Sequence, residues 1–168
     1  MKTATLGRDA VMMLSHRFVH LIEEHSDALA AGLLHKIQRS AHTEAFRKVP
    51  PDELKERIYE IYRHLGEWLL DKSESDIEER YTHIGIRRAD QGVPLSQVIW
   101  AIILTKGNLW EFILDESFPD RPIDLFGKQE LLQLLEQFFD RAIYSAAVGY
   151  EWAQEKNPRA RNETLRTG

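Results

Sequence analysis

Apolar residues recur at every third or fourth position along almost the whole chain, and this period constrains the fold more than any other feature of the sequence. A period near 3.6 places apolar side chains on one face of a helix, whereas a half-buried strand alternates with a period of two. We therefore predict an all-α fold, a bundle of about six helices with a long C-terminal helix. The predicted helices cover residues 9–24, 27–39, 52–69, 75–92, 94–115 and 125–156.

Residues that start and stop helices mark several of these boundaries. Asp52 follows two prolines and is expected to cap the third helix. Ser75–Glu78 has the spacing of a capping box, in which the two side chains satisfy each other's free backbone amides. Gly92 is expected to end the fourth helix in a left-handed turn, with Pro94 starting the next helix. Gly85 is expected at a close contact between two helices.

Length and composition set the broad class of protein. The 168 residues are enough for one domain with its own core; we assign residues 1–157 to it and 158–168 to a polar tail or the start of a linker to an output domain. The chain contains no cysteine, which excludes disulfides and thiolate metal sites and makes a reducing cytoplasm the expected location. A formal charge of -5 argues against a nucleic-acid partner. The most apolar run, Val98–Thr105, is too short to span a membrane.

Motifs of catalysis and metal binding are missing from the sequence. There is no phosphate-binding glycine loop, nucleophile elbow, HExxH motif or calcium loop, so we predict no catalytic residues. His16 and His20 have the spacing of two metal ligands on a helix, but both point away from the apolar stripe. We interpret them as an exposed pair and predict no metal site.

The segment from Ile77 to Arg88 carries an inward-facing cation. On a helical wheel of about 100° per residue, Tyr81, Ile84 and Arg88 fall near Ile77 and share its buried stripe. His83 falls about 120° away from that stripe. The residue predicted to face the core is therefore the arginine and not the histidine.

The stretch "IGIRRADQGVPLSQVIWAI", residues 84–102, resembles the proximal segment of bacterial globin-coupled sensors. Those sensors have an Ile-Gly pair, a haem-ligating histidine three residues after the glycine, and then a Gly-hydrophobic-Pro break. In this chain Arg88 occupies the ligand position, and arginine has no lone pair to give to iron. The resemblance is closer to the non-haem N-terminal sensor domains of the RsbR family, the RsbT co-antagonist type of bacterial stressosome proteins.

That resemblance implies a globin-like fold without a cofactor, in a cytoplasmic dimeric sensor whose signal leaves through its C-terminal helix. It implies a signalling partner such as a STAS-domain protein or a kinase. Two alternatives remain at this point: a haem-binding gas sensor that uses another histidine, and a ligand-free scaffold module.

Two inward cations on neighbouring helices define a candidate ligand pocket. Arg88 and Lys106 are both predicted to face the interior, where an unpaired charge is costly. They are expected either to snorkel to the surface or pair with carboxylates, or to line a pocket for a small anionic ligand, with Tyr81, Trp100 and Trp110 as its walls.

The last predicted helix carries a seam with alternating spacings of four and three residues, which is typical of a helix–helix contact. Its second half consists of small residues that let two backbones approach closely. We therefore expect this helix to form a homodimer. The predicted dimer interface consists of Leu135, Phe138, Ala142, Ser145, Ala146, Gly149 and Ala153.

Overall fold

The computed structural model describes residues 16–115 and 122–157, and within these residues the chain is helical and has no strand. This confirms the predicted all-α fold and its long C-terminal helix. Residues 9–15 of the first predicted helix, and the tail 158–168, lie outside the described residues. The helices are α1 (residues 16–24 of it are described), α2 (Ser26–Arg39), α3 (Pro51–Arg63), α4 (Glu74–Asp90), α5 (Leu95–Asp115) and α6 (Pro122–Lys156). A 3-10 segment, Ala41–Lys48, precedes α3, and a π-helical turn, Glu67–Asp71, follows it.

The core lies where α4, α5 and α6 meet the N-terminal helices. The most extensive contact in the molecule joins α4 to α6, and α5 packs against both α6 and α2. Burial of these apolar faces is the main force that holds the bundle together. The largest fully buried side chains include Tyr62, Leu65, Leu109, Leu131, Leu135 and Phe139. None of the helices in the described ranges is both long and apolar enough to cross a membrane.

The third helix is shorter than predicted, and Asp52 does not cap it. α3 begins at Pro51, so Asp52 lies in its first turn and makes no side-chain cap. The helix ends at Arg63 because the chain departs from helical geometry at His64, where φ is -115° and ψ is 26°. Beyond it, the Gly66 amide donates to the Glu23 carboxylate of α1 at 2.8 Å. The prediction of one continuous helix to residue 69 was therefore wrong.

The capping box of α4 lies two residues before the predicted one. The Ser73 hydroxyl accepts from the Asp76 amide at 3.2 Å, and the Asp76 carboxylate accepts from the Ser73 amide at 2.8 Å. The sequence contains two overlapping candidate capping boxes, and the earlier one lengthens the helix by two residues, about half a turn. Ser75–Glu78 lies inside α4 instead.

The predicted turn at Gly92 is confirmed. Gly92 has a φ of +73°, the left-handed region that glycine adopts without strain. Its amide donates to the Ala89 carbonyl at 3.0 Å, and the Val93 amide donates to the Arg88 carbonyl at 3.0 Å. These two bonds form a Schellman motif, and the fully buried Val93 anchors it. The turn sets the angle between α4 and α5.

We expect Gly92→Val to lower the free energy of unfolding by about 1 kcal/mol or more, because a β-branched side chain is strained at positive φ. In a domain of this size that corresponds to a melting temperature lower by about 3 °C. Gly92→Asn is the matched control and should cost less, because asparagine tolerates the left-handed region. Thermal melts of the three proteins check this, and equal melting temperatures for wild type and Gly92→Val would contradict it.

Candidate functional site

Arg88 is buried on the inner face of α4, as predicted, with only 3% of its surface exposed. Its Nη1 donates to the Glu53 carboxylate of α3 at 2.7 Å and to the Gln91 side-chain oxygen. Its guanidinium also lies over the Phe46 ring, 5.9 Å from the centroid. The inward cation therefore has a counter-charge, which is one of the two outcomes that the sequence left open.

Glu53 accepts hydrogen bonds from three side chains. Arg87 donates to it at 3.1 and 3.3 Å, and Gln91 donates at 3.0 and 3.2 Å, in addition to Arg88. The bonds from Arg87, with the bond and charge of Arg88, outweigh burial and lower the pKa of Glu53 from 4.5 to about 2. Glu53 is thus a carboxylate that stays ionised and ties α3 to the C-terminal end of α4.

A cavity of about 60 Å³ lies between α3, α4 and α5, next to Arg88. Its wall is mostly aliphatic, and the exceptions are Phe46, Tyr81, Thr105 and two arginines. Burial raises the pKa of the Tyr81 hydroxyl, so this group stays protonated at neutral pH. The lining residues from these helices are Leu54, Arg57, Ile58, Ile61, Tyr81, Ile84, Arg88, Val98, Ala101, Ile102 and Thr105.

Arg57 is the second arginine of the cavity, and the sequence analysis did not identify it. Its Nη1 donates to Glu60 at 2.8 Å, and Arg80 of α4 bonds to the same carboxylate. The Arg57 Nε is buried and has no hydrogen-bond partner. The position could have been found from the sequence: residue 57 is three residues after Leu54 and four before Ile61, so it lies on the apolar stripe of α3.

The other three predicted pocket residues lie outside this cavity. Lys106 turns towards α6, where its Nζ donates to Glu136 at 3.0 Å. The neighbouring Thr105 lines the cavity, and one residue is a rotation of about 100° around a helix. Trp100 is 37% exposed and meets the His42 ring edge-on, with 5.3 Å between centroids. Trp110 is half-buried, and its Nε1 has no hydrogen-bond partner.

The seam of α6 packs against α4 of the same chain. Gly85 and Gly149 form the closest point: a Cβ at Gly85 would lie 2.0 Å from the Ala146 carbonyl oxygen, and one at Gly149 would lie 2.0 Å from the Thr82 carbonyl oxygen. Gly85 thus sits at a close helix contact, as predicted. The residues of the predicted dimer interface that are buried within this chain are Leu135, Phe138, Ala142, Ser145, Ala146 and Gly149, and Ala153 is half-buried.

The small residues of α6 therefore have a covering partner in the chain itself, because α4 fills the space that a second copy was expected to fill. A dimer cannot use these six residues without displacing the helices that cover them. These residues are therefore packed within one chain, and the interface predicted through them stays a prediction.

An apolar stripe runs along the outer face of α5, opposite its buried face. Its members follow one another at intervals of three and four residues, and they are Trp100, Ile103, Gly107, Trp110 and Leu114. Leu114 is 62% exposed, and a Cβ at Gly107 would meet nothing within 4 Å. The sequence shows a helix that is apolar on most of its circumference, and only the structure shows that Trp100 and Leu114 at the ends of this stripe are exposed, while its other members are half-buried.

The described histidines lie at the surface. His16, His20 and His83 are all exposed, and His20 is 3.1 Å from Glu24. Within the described ranges no group of three or more histidine, aspartate or glutamate side chains is arranged to hold a metal ion.

A haem does not fit the residues around Arg88. A guanidinium cannot ligate iron, and Arg88 is held by Glu53. The cavity of about 60 Å³ is also far smaller than the ~300 Å³ or more that even a drug-sized ligand occupies.

These features define an all-α helical bundle with an arginine pair at a small, partly open cavity. Comparison with known families agrees, because the model of the RsbT co-antagonist protein rsbRD N-terminal domain matches residues 27–165. The match covers most of the chain, so the chain belongs to this family. Comparison with curated proteins and with solved structures gave no match.

Proposed function

We propose that this chain is a stressosome-type sensor domain of the bacterial cytoplasm, which works as a homodimer and relays a stimulus through α6. The family match carries this proposal. The role is one of protein interaction, with a STAS-domain protein or a kinase as the partner, and not one of catalysis. Residues 1–157 would form the sensor domain.

The path of the relay is the contact between α4 and α6. α4 contributes Tyr81 and Arg88 to the cavity, and Gly85, between them, touches the backbone of α6. A shift of α4 at the cavity therefore pushes on α6 with no flexible side chain in between. α6 has 35 residues and spans about 52 Å, so a small displacement near Gly149 would reach a partner bound at its end.

The dimer surface that the structure supports best is the outer stripe of α5, from Trp100 to Leu114. Its spacing is that of a coiled-coil seam, and its exposed apolar side chains would gain free energy from burial against a second copy. Gly107 at its centre would allow two α5 helices to come close at a two-fold axis. The supporting observation is therefore a partly exposed apolar stripe with a small residue in the middle.

Gly107→Glu tests this surface. Glutamate favours a helix more than glycine does, and a Cβ fits here without a clash, so the fold should be retained. Two like charges near the axis should separate the dimer. By light scattering at about tens of micromolar, we expect a dimeric wild type, a dimeric Gly107→Ala control and a monomeric Gly107→Glu variant.

A second readout uses the absence of cysteine from the chain. Gly107→Cys places a single thiol near the proposed axis, and mild oxidation should yield a disulfide-linked dimer. A wild type that is monomeric at these concentrations, or a Gly107→Glu variant that stays dimeric, would refute the proposed surface.

The haem-sensor alternative gains no support at the cavity beside Arg88, because Arg88 is held by Glu53 and His83 is exposed. A ligand-free scaffold would share the dimer but not the cavity chemistry. The ligand experiment described below separates the proposed sensor domain from a ligand-free scaffold.

A further inference from the structure

The charges around the cavity do not balance. The guanidiniums of Arg57 and Arg80 share the single carboxylate of Glu60, whereas Arg88 and the more exposed Arg87 pair with Glu53, and Asp90 adds a second negative charge near Arg87. The chain as a whole has a formal charge of -5, so this local excess of positive charge is the reverse of its average. Like charges held together in a partly buried place are unfavourable unless something neutralises them.

Arg57 is the arginine of this group that has a buried hydrogen-bond donor without an acceptor. Its side chain is 26% exposed, it lines the cavity, and its buried Nε has no acceptor. Burial, and then the charge of Arg80, lower the pKa of the Arg57 guanidinium, which shows that its positive charge is poorly compensated where it lies. Arg88, in contrast, is fully occupied by Glu53 and Gln91 on its Nη1.

We infer that the cavity binds a short-chain monocarboxylate, whose carboxylate pairs with Arg57 and whose alkyl chain lies among the aliphatic residues of α3, α4 and α5. A water molecule would satisfy the free Nε but would leave the charge unbalanced. A carboxylate satisfies the free Nε and also balances the charge, because it is a planar anion whose two oxygens can accept from two N–H groups of the guanidinium. This assignment rests on the proposed sensor function and names the chemical class of its stimulus.

The volume of the cavity sets the length of the alkyl chain. A cavity needs about 10–15 Å³ on this scale for each water-sized group, so about 60 Å³ accommodates roughly four to six such groups. Propionate and butyrate fit that space, with the carboxylate at the partly exposed end of Arg57. Long-chain fatty acids do not fit.

Titration of the whole chain with sodium butyrate, followed by methyl NMR, tests this inference. Ile58, Ile61 and Ile84 line the cavity and should show saturable shifts in the millimolar range, while Ile22 of α1 should not. Butyramide, which keeps the shape but lacks the charge, should bind at least tenfold more weakly. Sodium chloride at the same concentration controls for ionic strength.

Two variants identify the site. Arg57→Gln should weaken butyrate binding at least tenfold, whereas Arg63→Gln, an exposed arginine on the same helix that pairs with Asp27, should leave it unchanged. Ala101→Leu keeps the charges and fills the cavity, so it should abolish the saturable shifts and provides an independent check if Arg57→Gln does not fold.

Unchanged affinity in Arg57→Gln, equal binding of butyramide or chloride, or tighter binding of octanoate than of butyrate would each overturn the inference. So would the absence of saturable shifts in the wild type. The light-scattering experiments on the Gly107 variants test the proposed dimer independently of ligand binding. A dimer without ligand binding would refute this inference alone, and ligand binding to a monomer would refute the proposed dimer alone.

Discussion

Gly85→Ala should destabilise the protein by about 3 kcal/mol or more, although alanine in the middle of a helix normally stabilises it by roughly 0.5–1 kcal/mol. The added Cβ would lie 2.0 Å from the Ala146 carbonyl oxygen and 2.9 Å from the Tyr150 amide nitrogen. Both are backbone atoms, so no side-chain rotation can relieve the overlap. α4 and α6 would have to separate along the most extensive contact of the fold.

Gly32→Ala provides the matched control for this prediction, because Gly32 lies in α2 and a Cβ there would be 3.8 Å from the nearest atom. It should be neutral or slightly stabilising in urea unfolding. Gly149→Ala should resemble Gly85→Ala, since its Cβ would lie 2.0 Å from the Thr82 carbonyl oxygen. The double variant should cost less than the sum, because one separation of the helices relieves both overlaps. A loss below about 1 kcal/mol for Gly85→Ala would show that the two helices part easily.

Local patterns in the sequence were sufficient for the all-α class, the long last helix and the turn at Gly92. Positive φ at a helix end is set by a few neighbouring residues, so glycine followed by a buried valine identifies it. The break after Arg63 was not predictable in this way, because the Gly66 amide bonds to Glu23, which is far away along the chain. The prediction of where α4 starts was wrong for another reason: both Ser73 and Ser75 have the spacing of a helix cap.

The candidate site was predicted in part, and the division follows helix geometry. Periodicity placed Tyr81 and Arg88 inward correctly, because one helix determines that direction. It could not show that Lys106 pairs with Glu136, because that depends on how α5 is rotated against α6. In the same way, the small residues Ala142 and Gly149 indicated that another helix backbone lies close to α6, but not which helix it is. The structure shows that it is α4 of the same chain.

Glu53→Gln should destabilise the protein by about 3 kcal/mol at neutral pH, because it removes the counter-charge of the buried Arg88. Glutamine keeps the shape of the side chain and can accept one hydrogen bond, but it leaves the nearly buried Arg88 without a counter-charge. Arg87 is more exposed and can turn to water, so most of the loss comes from Arg88. Glu44→Gln is the matched control: its pair with Arg47 is exposed on both sides and should be worth less than about 0.5 kcal/mol.

The dependence on pH separates this charge effect from a loss of packing. The pKa of Glu53 is lowered from 4.5 to about 2 in the folded protein, so the unfolded chain binds the proton more tightly than the native state does. The stability that Glu53 contributes is therefore fully present above about pH 4.5 and is lost as the pH falls towards 2. The difference in unfolding free energy between wild type and Glu53→Gln should consequently be constant from pH 7 to 5 and shrink at pH 3, as measured by urea unfolding. If the difference at pH 3 equals that at pH 7, the glutamate acts through its shape and hydrogen bonds, and Arg88 does not depend on its charge.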